Sequence, residues 1–325
     1  MTLVVFAIVA LVKVYTSSPA GAVHPSLSWL DPTAISWKGL VAGVLVAIFI
    51  YWGWDSGVAV NEETEDSGRT PGIAAVISTV ILLAIYVVVS IAAQAFHGAK
   101  FLTDNADDVL SALGRDVFPS PLDKLLIIAV LTSASASTQT TILPTSRTAL
   151  SMARVGAIPR YFGRIHASHQ TPGPATIWMG IVSIVWYVGL TIVSQNILYD
   201  SIAALGLMIA FYIGLTAFVC VVYYRRLIFQ SARNFLLIGL FPLLGGVMFT
   251  YILFRSSQDL SDPANSESGS SWLGIGPPLM IAAATLLLGL VLMVVQWRVA
   301  PAFFRRRIET AAPDALEAGS ARADA

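Results

Sequence analysis

Eight apolar stretches, most of them about as long as a lipid bilayer is thick, constrain this chain more than any other feature. They occupy residues 2–12, 39–60, 73–96, 125–143, 175–193, 202–224, 235–254 and 273–297. A helix needs about 20 apolar residues to cross the hydrocarbon core, and seven of the eight stretches reach or approach that length. Only 12% of the residues are charged, against roughly 25% in soluble proteins. The sequence therefore predicts an all-α integral membrane protein with the lipid bilayer as its surroundings.

The first stretch begins at Met1, stops at Lys13 and is too short to span a bilayer. One interpretation is a signal peptide cleaved near Ala20-Gly21-Ala22, but no positively charged segment precedes the apolar residues. The other interpretation, which we favour, is the tail of a spanning helix whose beginning lies outside this chain. It predicts about seven full transmembrane helices plus a partial first one.

The basic residues indicate the orientation, because cytoplasmic loops carry an excess of Lys and Arg. Thirteen of the nineteen fall in alternate connections or after the last stretch: Arg69, Arg147, Arg154, Arg160, Arg164, Arg225, Arg226, Arg233, Arg298, Arg305, Arg306, Arg307 and Arg322. These segments, and with them the C-terminus, are predicted to be cytoplasmic. The sequence divides into a transmembrane domain, residues 1–307, and a tail, residues 308–325, that lacks apolar periodicity and is expected to be a disordered cytoplasmic segment.

The second apolar stretch is interrupted by Gly53, Asp55, Ser56 and Gly57. Unsatisfied backbone amides are costly inside a membrane, so a broken helix survives there only where it lines a cavity. We predict a discontinuity between Tyr51 and Ser56. An ionisable group at such a point is a candidate functional residue, and the alternative for Asp55 is a structural role, such as capping the second half-helix. Before the break, small residues are predicted to allow close helix contact: Gly39, Gly43 and Ala47.

The fourth stretch becomes rich in hydroxyls at Thr132–Thr141, where Ser133, Ser137 and Thr141 fall at i, i+4 and i+8 on one helix face. Such hydroxyls can bond carbonyls of their own helix, bridge to a neighbouring helix, or supply oxygens to a small cation. The sequence leaves these three uses open.

Between the third and fourth stretches, Lys100–Pro121 carries spaced apolar residues among acidic ones: Leu102, Val109, Leu110, Leu113 and Val117. This spacing suits an amphipathic helix on the outer surface, and a solvated loop with incidental leucines is the alternative.

A set of spaced residues follows the fourth stretch: Arg147, Met152-Ala153-Arg154, Gly156, Pro159, Phe162 and His166. The set resembles the cytoplasmic loop after the eighth helix of amino acid permeases of the amino acid, polyamine and organocation superfamily. The segments Gly53-Trp54-Asp55 and Glu62-Glu63 are similar to the sixth helix of that family. The Asn-Pro-Arg that usually follows is replaced here by Ser67-Gly68-Arg69.

The resemblance covers the end of the family's fifth helix and then its sixth to twelfth. It implies a leucine-transporter-type fold, in which two inverted five-helix repeats with broken first and sixth helices surround a midplane site. The chain would then be N-terminally incomplete. The implied substrate-binding residues are Phe49, Tyr51, Trp52, Gly53, Trp54 and Asp55. Asp55, together with Ser133 and Ser137, is the candidate for proton or cation coupling.

The implied function is secondary active transport of amino acids or related amines across the cytoplasmic membrane, driven by H⁺ or Na⁺ and without a cofactor or bound metal. The alternative is a non-transporting remnant or accessory subunit. Because the first repeat would be missing, we expect a missing N-terminal half or an oligomeric partner, and no transport by these 325 residues alone. No phosphate loop, nucleophile elbow or metal-ligand spacing suggests an enzyme, and a net charge of zero gives no indication of nucleic-acid binding.

Overall fold

The computed structural model describes residues 2–61, 64–66, 68–193 and 197–305, and no β-strand occurs within these ranges. The α-helices are α1 (Thr2–Ser17), α2 (Trp37–Ile50), α3 (Ser56–Ala59), α4 (Thr70–Asp104), α5 (Val109–Val117), α6 (Lys124–Val155), α7 (Gly173–Val193), α8 (Ile197–Tyr223), α9 (Ala232–Asn234), α10 (Phe241–Asp259), α11 (Pro277–Val299) and α12 (Pro301–Phe304). A π-helical segment, Phe235–Leu240, joins α9 to α10. The predicted all-α architecture is confirmed.

Six helical segments of the described chain are long and apolar enough to cross a membrane. They are α4, α6, α7, α8, the continuous segment Ala232–Asp259, and α11. Two shorter apolar helices, α1 and α2, have 16 and 14 residues. Six of the predicted stretches therefore each coincide with a long helix, and the second stretch is divided between α2 and α3.

The described residues form two compact units. One comprises the chain up to Ala34, then Gly53–Thr64 and Arg69–Pro144, and the other comprises Ile35–Trp52, Glu65–Gly68 and the chain from Thr145 onward.

In the first unit, α1 packs against α4 and α5. The buried core residues are Phe6, Ala7, Ala10, Val14, Ala92, Ala93, Ala95, Phe96, Leu113, Val117 and Leu126. Four of them lie on one face of α1, so the first apolar stretch contributes to this core.

Helix α5 is the amphipathic helix predicted in the third connection. Leu113 and Val117 are fully buried in the core of the first unit, whereas Arg115 and Asp116 between them are exposed. The helix is thus confirmed for Val109–Val117, and the solvated-loop alternative is wrong for this part of the connection.

A sharp kink at Gly98 divides α4, with φ 75° and ψ 168°. A loop containing Gly21 packs against this kink, and the amide of Val23 donates to the Ala95 carbonyl at 2.8 Å. Beside the kink, His97 contacts oxygen on both sides of its ring. Its Nδ1 lies 3.1 Å from the Ala20 carbonyl oxygen, and its Nε2 lies 2.7 Å from Asp116 Oδ2.

In the second unit, α8 is the central helix and packs against α2, α7, α10 and α11. The crossing of α8 and α2 is close at Gly206, where an added Cβ would lie 3.0 Å from the backbone oxygen of Leu45 on α2. The small residue that permits this contact therefore belongs to α8. The close contact predicted for α2 is wrong at its two glycines. No described atom lies within 4 Å of a Cβ added at the exposed Gly43, and a Cβ added at Gly39 would meet only Ile35 and Ser36, just before α2.

Candidate functional site

The backbone breaks between α2 and α3, as predicted from the glycines and the carboxylate. Helix α2 ends at Ile50, and the amide of Trp52 donates to Phe49, three residues earlier. Gly53 has φ +114°, a conformation that residues with a Cβ rarely adopt, so the helical ladder stops there. A single turn, α3, restarts at Ser56. The predicted discontinuity between Tyr51 and Ser56 is confirmed.

Asp55 stands directly before α3 and is half-buried. Its backbone carbonyl accepts from the amides of Val58 and Ala59, both at 3.0 Å. Its carboxylate makes no capping bond to α3 and has no hydrogen-bond or ion-pair partner among the described residues. Asp55 thus occupies the N-cap position of α3 without a capping hydrogen bond from its side chain, and a carboxylate without a described partner follows the break.

The aromatic residues around the break differ in their environments. Trp52 and Trp54 are 37% and 44% exposed, and the Trp52 indole donates to the Tyr212 hydroxyl at 2.6 Å. Phe49 is half-buried against the core of the second unit, and Tyr51 is half-buried at the end of α2. The two tryptophans thus present more free surface than the other two candidates, and Trp52 is held by α8.

Most hydroxyls in the polar half of α6 are bonded to their own helix. Five of them donate to carbonyls three or four residues earlier at 2.8–3.1 Å: Thr132, Ser135, Thr138, Thr140 and Thr141. The hydroxyls of Ser133 and Ser137 have no partner within the described chain and are exposed. Carbonyl bonding therefore accounts for the surrounding hydroxyls, whereas the two predicted coupling residues keep their oxygens free.

The break and the hydroxyl-rich part of α6 meet within the first unit. The Ser56 hydroxyl donates to the Thr140 backbone oxygen at 3.4 Å, a long hydrogen bond. Ser56 follows Asp55 directly, so two regions predicted separately from the sequence are in contact.

Three residues of the predicted motif lie outside the described residues, namely Glu62, Glu63 and Ser67, as does the predicted tail, residues 308–325. Among the described residues, no group of three or more His, Cys, Asp and Glu side chains could hold a metal ion.

Sequence reasoning missed two contacts of the site. Tyr212 is an isolated polar group within the apolar α8, and that isolation is a signal that it needs a hydrogen-bond partner. The Thr140 contact uses a backbone oxygen, for which the side-chain pattern carries no signal.

The chain matches a known protein family over most of its length. A model described as amino acid permease matches residues 1–283 of the 325-residue chain. The chain belongs to this amino acid permease family. With six membrane-capable helices among its described residues, this permease is a multi-pass membrane protein.

Individual relatives match shorter parts of the permease. Uncharacterized transporters of Mycobacterium bovis and Mycobacterium tuberculosis are 29% identical over 163 residues, which is 50% of this chain and 37% of theirs. A protein of Arabidopsis thaliana named cationic amino acid transporter 4, vacuolar, is 25% identical over 146 residues, 45% of this chain and 24% of its own. The matched parts are thus well under half of these relatives. No solved structure matches the permease.

Proposed function

We propose that this permease is a secondary active transporter of amino acids or related amines across the cytoplasmic membrane. The observation that carries the proposal is the break at Gly53, followed by the unpaired carboxylate of Asp55, in a chain of the amino acid permease family. Transporters bind substrate where a membrane helix is interrupted, because its free backbone groups and helix ends can face the substrate's charges. The accessory-subunit alternative has no comparable support.

In this proposal the substrate-binding residues are Phe49, Tyr51, Trp52, Gly53, Trp54 and Asp55. The exposed faces of Trp52 and Trp54 suit an apolar or cationic substrate group, since a cation can stack on an indole ring. An uptake screen with radiolabelled amino acids, in cells expressing the complete reading frame, tests the assignment. Uptake equal to that of cells with an empty vector, for every amino acid and amine, would reject it.

Asp55 is proposed as the coupling residue. A bound ammonium group favours the ionised carboxylate, whereas a bound proton removes the charge that holds the amine. By linkage, each weakens the binding of the other by the same factor. Release of substrate would then accompany proton uptake at this position.

The variant Asp55→Asn tests this role, because Asn keeps the shape of the side chain and cannot titrate. We expect uptake to lose its pH dependence while exchange of bound substrate persists. Asp104→Asn, an exposed carboxylate at the end of α4, is the matched control and should keep the parent profile. An unchanged pH profile in Asp55→Asn would remove the residue from the coupling mechanism.

Ser133 and Ser137 are proposed as contacts for a coupling cation, since their hydroxyls are free while those around them are bonded to the helix. If Na⁺ is that cation, Ser137→Ala should raise the Na⁺ concentration needed for half-maximal uptake. Ser135→Ala should not, because the Ser135 hydroxyl is already bonded to Leu131. Uptake that is unchanged when choline replaces Na⁺, with a silent Ser137→Ala, would leave both serines as packing residues.

The wider architecture belongs to the same proposal. It comprises the inverted-repeat fold, a transmembrane domain at residues 1–307, a cytoplasmic tail at 308–325, and the C-terminus in the cytoplasm. The support for the orientation is the distribution of Arg and Lys between alternate connections.

A further inference from the structure

A pocket of about 190 Å³ lies within the second unit, and none of the residues Phe49–Asp55 lines it. Its walls come from α2, from the first turn of α8, from the end of α10 and from the connection to α11. Half of its lining residues are apolar, and we call them the apolar wall: Val41, Ala42, Leu45, Val46, Ala203, Leu260 and Pro278. The rest of the lining contains acidic, basic and hydroxyl side chains.

Two buried oxygens in this lining have no partner. Asp200 is 0% exposed, and its Oδ1 accepts from the amides of Glu267 at 3.0 Å and Ser268 at 3.4 Å. Its Oδ2 has no hydrogen bond to any described residue, and neither has the hydroxyl of Ser256, which is 3% exposed. A buried carboxylate oxygen without a donor is costly, so these two residues create a demand for a positively charged donor.

The two basic residues of the lining, Lys38 and Arg255, differ in how many of their hydrogen-bond donors are already used. Lys38 is engaged by Asp259 at 2.9 Å and by Asn265 at 3.1 Å. Arg255 is exposed and its one side-chain bond is from Nη1 to Gln258 at 3.0 Å. A guanidinium has five N–H donors, so Arg255 retains donors for an anionic group.

We propose that this pocket is a second binding site for an amino acid with an apolar side chain. The ammonium group would bind Asp200 and Ser256, the carboxylate would bind Arg255, and the side chain would lie against the apolar wall. An ammonium group brings both the charge and three donors to the unpaired oxygens. A metal ion fits less well, because the described residues provide no group of three metal-ligating side chains.

A water molecule could donate to these oxygens with its two hydrogens, but it would use neither the apolar wall nor Arg255. The pocket also differs from the site of the proposed function in position, since none of its lining residues lies between Phe49 and Asp55. The choice of an amino acid as ligand rests on the proposed function, whereas the existence of an ammonium site rests on Asp200 and Ser256.

Photo-crosslinking can locate the ligand. L-photo-leucine, a diazirine analogue of leucine that keeps both charged groups, is irradiated with the purified complete protein, and the labelled peptides are identified by mass spectrometry. We expect labels in segments 38–46 and 255–267 that an excess of L-leucine removes. The compound 4-methylpentanoate, which is leucine without its ammonium group, should leave them in place.

Three variants test the proposed ligand contacts one at a time. Asp200→Asn and Ser256→Ala remove the ammonium partners, and Arg255→Gln changes only an exposed side chain and so avoids the risk of misfolding. Labelling of the two segments should fall about tenfold in Asp200→Asn, as expected for the loss of a charged hydrogen-bond partner. Arg255→Gln should also reduce it, and Asp262→Asn, a matched change in the same connection outside the pocket lining, should not.

Equal labelling in Asp200→Asn and the parent protein, or labelling that L-leucine does not displace, would overturn the second site. Labels confined to residues 49–55 would overturn it too and leave the proposed function standing. Labels confined to the pocket, together with no uptake by the complete protein, would support the second site and reject the proposed transport function.

Discussion

Gly53 has a backbone conformation that is strained for residues with a Cβ. The free energy of this strain can be measured separately from steric clashes of the added side chain. No described atom lies within 4 Å of an added Cβ, so Gly53→Ala tests the backbone alone. We expect a loss of about 1 to 2 kcal/mol in the free energy of unfolding. Gly57→Ala is the control, because it has the same open surroundings in a helical conformation and should be neutral or slightly stabilising. Equal effects in thermal unfolding would show that the break does not depend on Gly53.

Single residues differ in how far the sequence could identify them. Asp55 could be predicted because an ionisable group inside an apolar stretch is costly wherever it lies. The free hydroxyls of Ser133 and Ser137 could be placed on one face, but the sequence did not distinguish them from their bonded neighbours. Partners distant in the chain, such as Tyr212 for Trp52 and Asp116 for His97, depend on how helices pack, which the local pattern does not encode.

At the scale of elements, the crossing of α2 and α8 depends on the absence of a side chain at Gly206. An Ala there would bring its Cβ to 3.0 Å from the Leu45 backbone oxygen, so the two helices would have to move apart. We expect Gly206→Ala to cost about 1 to 3 kcal/mol. Gly180→Ala in α7, with no described atom within 4 Å, should be tolerated or slightly stabilising. Thermal unfolding in detergent compares the two, and equal stability of both variants would contradict a close crossing.

The elements themselves were largely predictable, and their contacts were not. Apolar length predicted the spanning helices, and the spacing of Leu113 and Val117 predicted α5. The small residues of α2 suggested a close contact that α8 makes instead, because a small residue permits an approach without specifying which helix supplies it. The kink at Gly98 also lay beyond the apolar pattern, since a single glycine is tolerated in an uninterrupted helix.

For the whole molecule, the basic residues predict that the C-terminus is cytoplasmic. In a bacterial host, green fluorescent protein fused to the C-terminus should fluoresce, and alkaline phosphatase at the same position should be inactive. Fusions after Asp262, in a connection predicted to lie outside, should give the opposite result. Alkaline phosphatase activity at the C-terminus would reverse the orientation of every helix.

The bonding pattern of α6 has a consequence for how the permease enters the membrane. Its hydroxyl-rich half would be a poor substrate for the insertion machinery if each hydroxyl required water, because dehydrating an unpaired polar group is expensive. Five of these hydroxyls donate to carbonyls of their own helix instead, so their hydrogen-bond acceptors enter the membrane in the same helix. These five hydroxyls therefore need no neighbouring helix when α6 enters the lipid during synthesis, and among the described hydroxyls of Thr132–Thr141 those of Ser133 and Ser137 would still lack a partner.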